Sequence, residues 1–336
     1  MSKEDFHKAI RSNALSAIIG QEQTKEELKG ALLAGRNVIL VGPPGTGKTT
    51  LAKTIAALLP PRTVNDCPFH CDPTTPSCPQ CTKKGKVPTI TLQGERVFIR
   101  VQGSPDLTAE DLIGDIDPIK ALQYGPLSTE AFTPGKIFKA NKGILFFDEI
   151  NRCNEKLQNA LLQVLEERHV TIGSYDIDFA ADFLLIGTMN PDDTSTEPLS
   201  EVFLDRFDIV SVGYPETAAI EDQIVTMRRQ NINGVRMPPH IQLQVISFIR
   251  QLRADKNLEK KPGVRASIGL IDRSIALASL RGVNEVSMEE VGACLTSVLA
   301  HRISLKPSVK YLEQPEKYAL KQFQTYVREH EDGGGL

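Results

Sequence analysis

The chain has 336 residues, room for two domains of about 150 residues each. Hydrophobic residues make up 40% and charged residues 24%, which excludes wholesale disorder and allows a sizeable core. Lys and Arg number 39 against 42 Asp and Glu, a net charge of −3 with a pI near 6.1, which argues against a globally basic nucleic-acid coat.

No apolar run approaches the roughly 18–20 residues that a membrane span needs. The first twenty residues mix both charges and lack the apolar stretch of a secretory signal, which predicts a cytoplasmic protein. Residues 22–34 show helical periodicity, with Leu28, Ala31 and Leu32 on one face. The run Asn37–Gly42 reads as a short buried strand, followed by glycine-rich turn residues and a helix from Lys48 to Leu58. Residues 60–88 stand apart: they hold seven of the 21 prolines and four of the six cysteines. Such a segment cannot be helix or sheet throughout, and reads as an insertion that needs its own staple.

Further strands are predicted at Arg96–Val101, Gly143–Ile150, Phe183–Thr188 and Asp208–Val212. The second of these is apolar on both faces, as a central parallel strand should be. A helix is expected around Glu155–Arg168, and residues 169–180 alternate around Gly173-Ser174 as a hairpin does. Strands alternating with helices predict an α/β fold on a five-stranded parallel sheet. After Pro215 no strand is legible. Segments 216–231, 239–254, 265–281 and 287–302 suit amphipathic helices, hence a small all-α second domain over 215–305 and a tail over 306–336.

The octet Gly42-Pro43-Pro44-Gly45-Thr46-Gly47-Lys48-Thr49 fits the phosphate-loop pattern G-x-x-x-x-G-K-[ST] and lies where it should, between a strand and a helix. Successive backbone N–H groups can wrap a phosphate there, aided by the helix dipole. Lys48 would reach the β- and γ-phosphates, Thr49 would ligate Mg²⁺, and Thr50 completes the set of phosphate-binding residues. About a hundred residues on, four apolar residues run into Asp148-Glu149. Two carboxylates at the end of a buried strand are costly unless they have work. Asp148 would hold the Mg²⁺ shell, and Glu149 would polarise an attacking water as general base. Asn190, at the end of the next strand, could bond both the γ-phosphate and that water, or simply start an Asn-Pro turn.

Cys67, Cys71, Cys78 and Cys81 are spaced C-x3-C-x6-C-x2-C. Tetrahedral Zn²⁺ accepts four thiolates with such short pair spacings, which makes structural zinc the first reading. A redox pair at Cys78-Pro79-Gln80-Cys81, an iron–sulfur cluster or plain thiols remain open, and His70 could replace a cysteine. Lys83, Lys84 and Lys86 read as a solvated face or a small docking patch. Cys153 and Cys294 read as packed thiols.

The loop GPPGTGKT, then FFDEIN, GTMNP and LDRF (Leu204–Phe207), in this order, resemble an AAA+ ATPase. The stretch Asp148–Ile172 looks like the MoxR-type ATPases. Gly114–Leu122 and Phe132–Glu149 look more like the magnesium-chelatase I subunit, as does the cysteine insertion. The resemblance runs from Ile19 to about Arg302. It implies an AAA+ nucleotide-binding domain over 1–214, with the cysteine insertion at 60–88 after the first core helix. A helix-2 insert at 94–135, a pre-sensor hairpin at 169–180 and a helical lid are implied with it. It also implies ATP and Mg²⁺ as cofactors and a ring, usually a hexamer. Asn190 matches sensor 1. Arg206 matches the arginine finger, acting on a neighbour's nucleotide, although a salt bridge to Asp205 or Asp208 would also explain it. Arg265 matches sensor 2, or is a solvated helix-start arginine. Arg152 is placed facing the adjoining subunit, and Ile18, Ile19 and Gly20 where the N-terminal linker meets adenine.

The first functional expectation is therefore a MoxR-type remodelling or metal-loading ATPase, a chaperone acting with a partner that carries a von Willebrand A domain. The alternative is the ATPase subunit of a tetrapyrrole metal chelatase. A nucleic-acid motor is disfavoured by the acidic pI and the lack of an aromatic-rich basic stripe.

Overall fold

A computed structural model of the chain describes residues 3–12, 15–84, 87–126, 128–171, 178–191, 193, 199–232 and 234–331. It divides into two compact units. One comprises Met1–Ile18, Glu22–Gly42 and Gly47–Val212; the other comprises Ile19–Gln21, Pro43–Thr46 and Gly213–Leu336.

The first unit is built on five strands: β1 (Asn37–Val41), β2 (Phe98–Gln102), β3 (Ile144–Asp148), β4 (Leu184–Met189) and β5 (Phe207–Ser211). They pair in the order β5-β1-β4-β3-β2, every pair parallel. Each parallel neighbour needs a crossover, so both faces are covered and the central strands are apolar except at their ends, where Asn37, Asp148 and Thr188 lie. The period of two sorts their side chains. Val38, Leu40, Ile144 and Phe146 join a core with Leu28, Leu32, Leu51 and Ile55, from the helices Glu22–Leu33 and Lys48–Leu58. Ile39, Leu145 and Phe147 join the opposite core with Val101, Phe138, Leu157 and Leu161. The register sets Gln102 opposite Asp148 and Val41 opposite Met189, so the carboxyl ends of the strands finish along one edge. In open α/β sheets that edge is where ligands bind.

The proline- and cysteine-rich segment is tied off by an antiparallel pair, Arg62–Asn65 with Thr89–Leu92, and includes a short helix Pro79–Lys84. A second pair joins Gly114–Ile116 to Phe132–Pro134, and a third joins His169–Thr171 to Asp178–Ala180. The turn read at Gly173-Ser174 lies outside the described residues. The strand expected from Arg96 begins two residues later, because Gly94–Val97 forms a 3₁₀ turn that buries Val97.

The second unit packs helices Ala218–Arg228, Pro239–Ala254, Val264–Leu280 and Met288–Leu299 around Val245, Ile249, Leu270, Ile271, Val291 and Leu295. Their starts are written locally. Thr217 accepts from the Ile220 N–H, and Ser287 with Glu290 forms a capping box. Two findings differ from the sequence reading. Leu258–Lys260 pairs antiparallel with Ser304–Leu305, a ladder too short for any period to announce it. Residues Pro315–Glu331, within the expected tail, form a helix that buries Tyr318, Ala319, Phe323 and Tyr326 in this core.

Candidate nucleotide and metal sites

The loop after β1 turns through two left-handed glycines, Gly45 (φ 86°) and Gly47 (φ 94°), a conformation that side-chain-bearing residues rarely adopt. Gly47 caps the helix Lys48–Leu58 and, having no side chain, offers no side-chain acceptor to its first N–H groups. Those first N–H groups suit an oxyanion, so the loop fits a polyphosphate. Lys48 Nζ donates to the Gly42 carbonyl at 2.5 Å, and Thr46 Oγ1 to the Pro43 carbonyl at 3.0 Å. Pro43 is half-buried and Pro44 exposed; Thr49 and Thr50 are half-buried in the first turn of the helix. Ile19 is half-buried too, two residues before Gln21, whose Nε2 donates to the Thr46 carbonyl at 3.0 Å.

The acidic pair is held by a residue that sequence reasoning missed. Thr188, buried near the end of β4, donates its hydroxyl to Asp148 Oδ1 at 2.7 Å and accepts the Glu149 N–H at 3.0 Å. Glu149 is itself left-handed (φ 56°, ψ 53°), unusual for a residue with a side chain. Arg100 Nη2 meets Asp148 Oδ2 at 2.5 Å. Gln102 Nε2 donates to Glu149 Oε2 at 3.0 Å, and Arg152 Nε lies 3.3 Å from the same oxygen. Arg152 bonds Asp193 through Nε and Nη2, at 3.1 and 2.7 Å, which holds its guanidinium above the ordinary value. Gly103 passes so close that a Cβ there would stand 2.0 Å from the Glu149 carbonyl oxygen. The signal for Gln102 and Thr188 was slight: a polar residue at the carboxyl end of an apolar strand. Asn190 is half-buried directly after β4. Two carboxylates at a strand edge, one oriented by a hydroxyl and the other by an amide and a guanidinium, can hold a hydrated cation and direct a water.

Arg206 follows the short helix Glu201–Leu204. It pairs with Glu166, Nε to Oε1 at 2.8 Å, and with Asp205 at 3.0 Å. Glu166, then Asp205, raise its guanidinium above the usual value. Asp208, the other partner considered, is taken by Arg36 at 3.0 Å. In the second unit Arg265 lies in the first turn of the helix Val264–Leu280. Its Cγ stands 3.2 Å from where a Cβ on Gly45 would be. Burial, followed by Arg265 itself, lowers the Arg302 guanidinium.

Cys67, Cys71, Cys78 and Cys81 are buried, unbridged, and within 4.8 Å of one another at their sulfurs. A tetrahedral Zn–thiolate site has sulfurs about 3.8 Å apart, from Zn–S bonds near 2.3 Å. Four buried thiols at this spacing fit such an ion with small side-chain adjustment. Burial pushes the Cys67 thiol up to about 11 and raises Cys78 as well. At Cys71 burial is outweighed by N–H groups of Ser77 and Cys78, which lower it. His70, left-handed at φ 47°, is not in the cluster. The side chain of Phe69, between two ligand positions, stacks on Phe179 (4.9 Å) and meets Phe138 (5.4 Å) and Phe132 (6.2 Å). Lys83 pairs with Glu130; the side chains of Lys84 and Lys86 lie outside the described residues. Cys153 and Cys294 are buried, and burial raises both thiols.

The ATPase family associated with various cellular activities (AAA) matches residues 75–209, the magnesium-chelatase subunit ChlI family residues 14–69, and the AAA lid domain residues 257–317. The magnesium-chelatase 38 kDa subunit of Acidiphilium rubrum is 30% identical over 327 residues, covering 87% of this chain and 91% of that protein. The magnesium-chelatase subunit ChlI homolog of Methanocaldococcus jannaschii is 27% identical over 332 residues, covering 87% and 86%. Among solved structures, a chain of the complex between subunits BchI and BchD of magnesium chelatase is 25% identical with a TM-score of 0.50, covering 89% of this chain and 98% of that one. A mutant of the Thermotoga maritima RuvB protein shares the fold at 19% identity, with a TM-score of 0.50 over 85% of this chain and 73% of that one. Among the described residues no helix is long and apolar enough to cross a membrane.

Proposed function

The chain belongs to the AAA+ ATPases of the MoxR and magnesium-chelatase I clade, and from that we infer a ring-forming ATP-driven motor of the chelatase-I type that works on a separate partner subunit. The observation that carries this reading is the 30% identity to a magnesium-chelatase subunit along nearly the whole of both chains. The sequence had put the MoxR role first; the relatives favour the alternative.

The residues divide the hydrolysis among themselves. Gly42–Thr50 wrap the phosphates, Lys48 exchanging its loop carbonyl for the β/γ oxygens, and Ile19 lies against the base. Magnesium, when bound, neutralises charge on those oxygens. Thr49 would hold it, with Asp148 acting through water, since Thr188 and Arg100 already engage both Asp148 oxygens. Glu149 takes the proton of the attacking water as the bond to the leaving ADP breaks. Asn190 orients that water. Arg265 contacts the nucleotide from its own chain. Arg206 leaves Glu166 to reach a neighbour's nucleotide, a cation of the kind worth ~10³-fold or more in rate. A ring, taken as a hexamer, follows from that division. The partner is one bearing a von Willebrand A domain, and the four cysteines hold a structural zinc that orders the 60–88 insertion.

The test is a Glu149→Gln chain, which should bind ATP yet hydrolyse it very slowly, used to trap complexes from native cytosol for mass spectrometry. A large chelatase subunit with porphyrin-pathway enzymes supports the chelatase motor. A von Willebrand A partner without them shifts the reading to the MoxR role. Near-normal turnover of the variant removes Glu149 from the base role. Metal analysis well below one zinc per chain removes the zinc.

A further inference from the structure

Below the turn that carries Arg265 lies a buried charge cluster to which no role has been given. Glu221 is fully buried and Arg253 is 8% exposed. Arg253 grips both Glu221 oxygens, Nη1 to Oε2 and Nη2 to Oε1, each at 2.6 Å. Ser267 Oγ donates to Oε1 at 2.6 Å, and Arg250 approaches Oε2 at 3.5 Å. Arg253 Nε donates to the Pro262 carbonyl at 2.7 Å, while the guanidinium carbon sits 4.9 Å from the centre of the Tyr214 ring.

The two anchor points bracket Arg265. Pro262 lies three residues before it and Ser267 two residues after, and both connect to the one carboxylate of Glu221. Between them, Gly263 runs so close to Pro44 that a Cβ would stand 2.6 Å from its carbonyl oxygen, and the Arg265 stem rests on Gly45. All these residues belong to one compact unit. Stability alone does not call for such a cluster. Buried ion pairs are often replaceable by apolar residues at no loss in stability. A guanidinium can serve a carboxylate and a carbonyl at once because its donors form a rigid fork.

We propose that Glu221 and Arg253 are positioning residues for ATP hydrolysis, fixing the entry of the helix Val264–Leu280 so that Arg265 is held against the phosphate loop. This rests on the reading of Arg265 as a nucleotide contact.

Arg253→Lys separates the two functions of the guanidinium. A lysine can still neutralise Glu221, but it cannot hold both carboxylate oxygens and the Pro262 carbonyl together. The variant should still fold, with a lowered Tm because the Pro262 carbonyl loses its donor. It should lose about tenfold in kcat, equivalent to ~1.4 kcal/mol of transition-state stabilisation, with little change in KM for ATP. In an Arg265→Ala background the same substitution should cost nothing more, since the group being positioned is gone. Wild-type turnover in folded Arg253→Lys, or a full further loss on Arg265→Ala, overturns the proposal. If Arg253→Lys does not fold, Ser267→Ala removes the second anchor and carries the same two expectations. Unchanged turnover in Arg265→Ala alone refutes the nucleotide contact itself, a separate outcome.

Discussion

Replacing Thr188 by valine isolates the hydroxyl that joins the two acidic residues. Valine keeps the branched shape inside β4, so the loss is chemical. Two things disappear: a hydrogen bond to a carboxylate at 2.7 Å and the acceptor for the Glu149 N–H at 3.0 Å. A bond to a charged group contributes ~1.5–3 kcal/mol, and an orphaned donor costs ~1–3 kcal/mol. The added methyl returns about 0.8 kcal/mol. The net destabilisation is ~3 kcal/mol, which in a unit of this size lowers Tm by roughly 6–12 °C. The catalytic effect follows from the left-handed backbone of Glu149. That conformation costs ~1–3 kcal/mol and persists only while its surroundings enforce it. With the acceptor gone, residue 149 relaxes and its carboxylate moves. A shift of the order of 1 Å at a general base costs ~10²-fold in rate. Steady-state phosphate release and fluorescent-nucleotide binding measure the two consequences: kcat falls about a hundredfold while ATP still binds. Thr188→Ser, which retains the hydroxyl, keeps most of the activity. A valine variant that melts and turns over like wild type refutes the bridge.

Arg206→Ala chains mixed with Glu149→Gln chains should recover part of the activity that each lacks alone, by completing sites across subunit borders; strict absence of recovery in a mixture of intact rings counts against action in trans. Gly103→Ala places a methyl 2.0 Å from the Glu149 carbonyl, so the strand end must shift, and turnover should fall by more than about tenfold in a protein that stays folded. Glu290, capped by Ser287 and paired with Arg281, titrates at about 2 instead of 4.5. Its folded value is depressed, so its contribution is complete above about 4.5 and fades as pH falls towards 2. Glu290→Gln should cost ~1–2 kcal/mol in urea unfolding of the helical unit at pH 7 and progressively less in acid; an equal penalty at pH 7 and near pH 2 would contradict the assignment.

Much of the molecule was legible because its signals are local. The three central sheet strands, β1, β3 and β4, each hold an apolar run cut off by polar or turn residues. The phosphate loop and the pair Asp148-Glu149 are each a continuous stretch, and the cysteine quartet falls within residues 67–81. What escaped was decided at long range. Thr188 is a single hydroxyl in FLLIGT, and only the β4–β3 pairing brings it under Asp148. Gln102 acquires meaning from its register opposite Asp148. Glu221 and Arg253 carry no signal of their own in the sequence, since nothing within a few residues of either says that they face each other in a core. The pair Leu258–Lys260 and Ser304–Leu305 holds few apolar residues and is defined by main-chain bonds, to which hydrophobic period is blind.

The cysteine insertion shows how local order is passed on. A segment with this many prolines lacks main-chain donors for a continuous helix or sheet, so its short ladder and turns are supplemented by side-chain links. Four thiols brought within 4.8 Å supply the closure, and the Arg62–Asn65 and Thr89–Leu92 pair ties off the base. Between the first two cysteines, the chain presents Phe69 to Phe132, Phe138 and Phe179. Phe132 belongs to the strand pair reaching back to Gly114, and Phe179 to the pair that starts at His169. One ring packed against three others therefore connects the cysteine-bearing segment to both strand pairs. Aromatic pairs of this kind contribute ~0.5–1.5 kcal/mol each beyond burial. The nucleotide machinery at the strand ends uses none of these rings. Removing a zinc held by the four cysteines, as proposed above, should accordingly loosen the two strand pairs before it affects the binding of ATP.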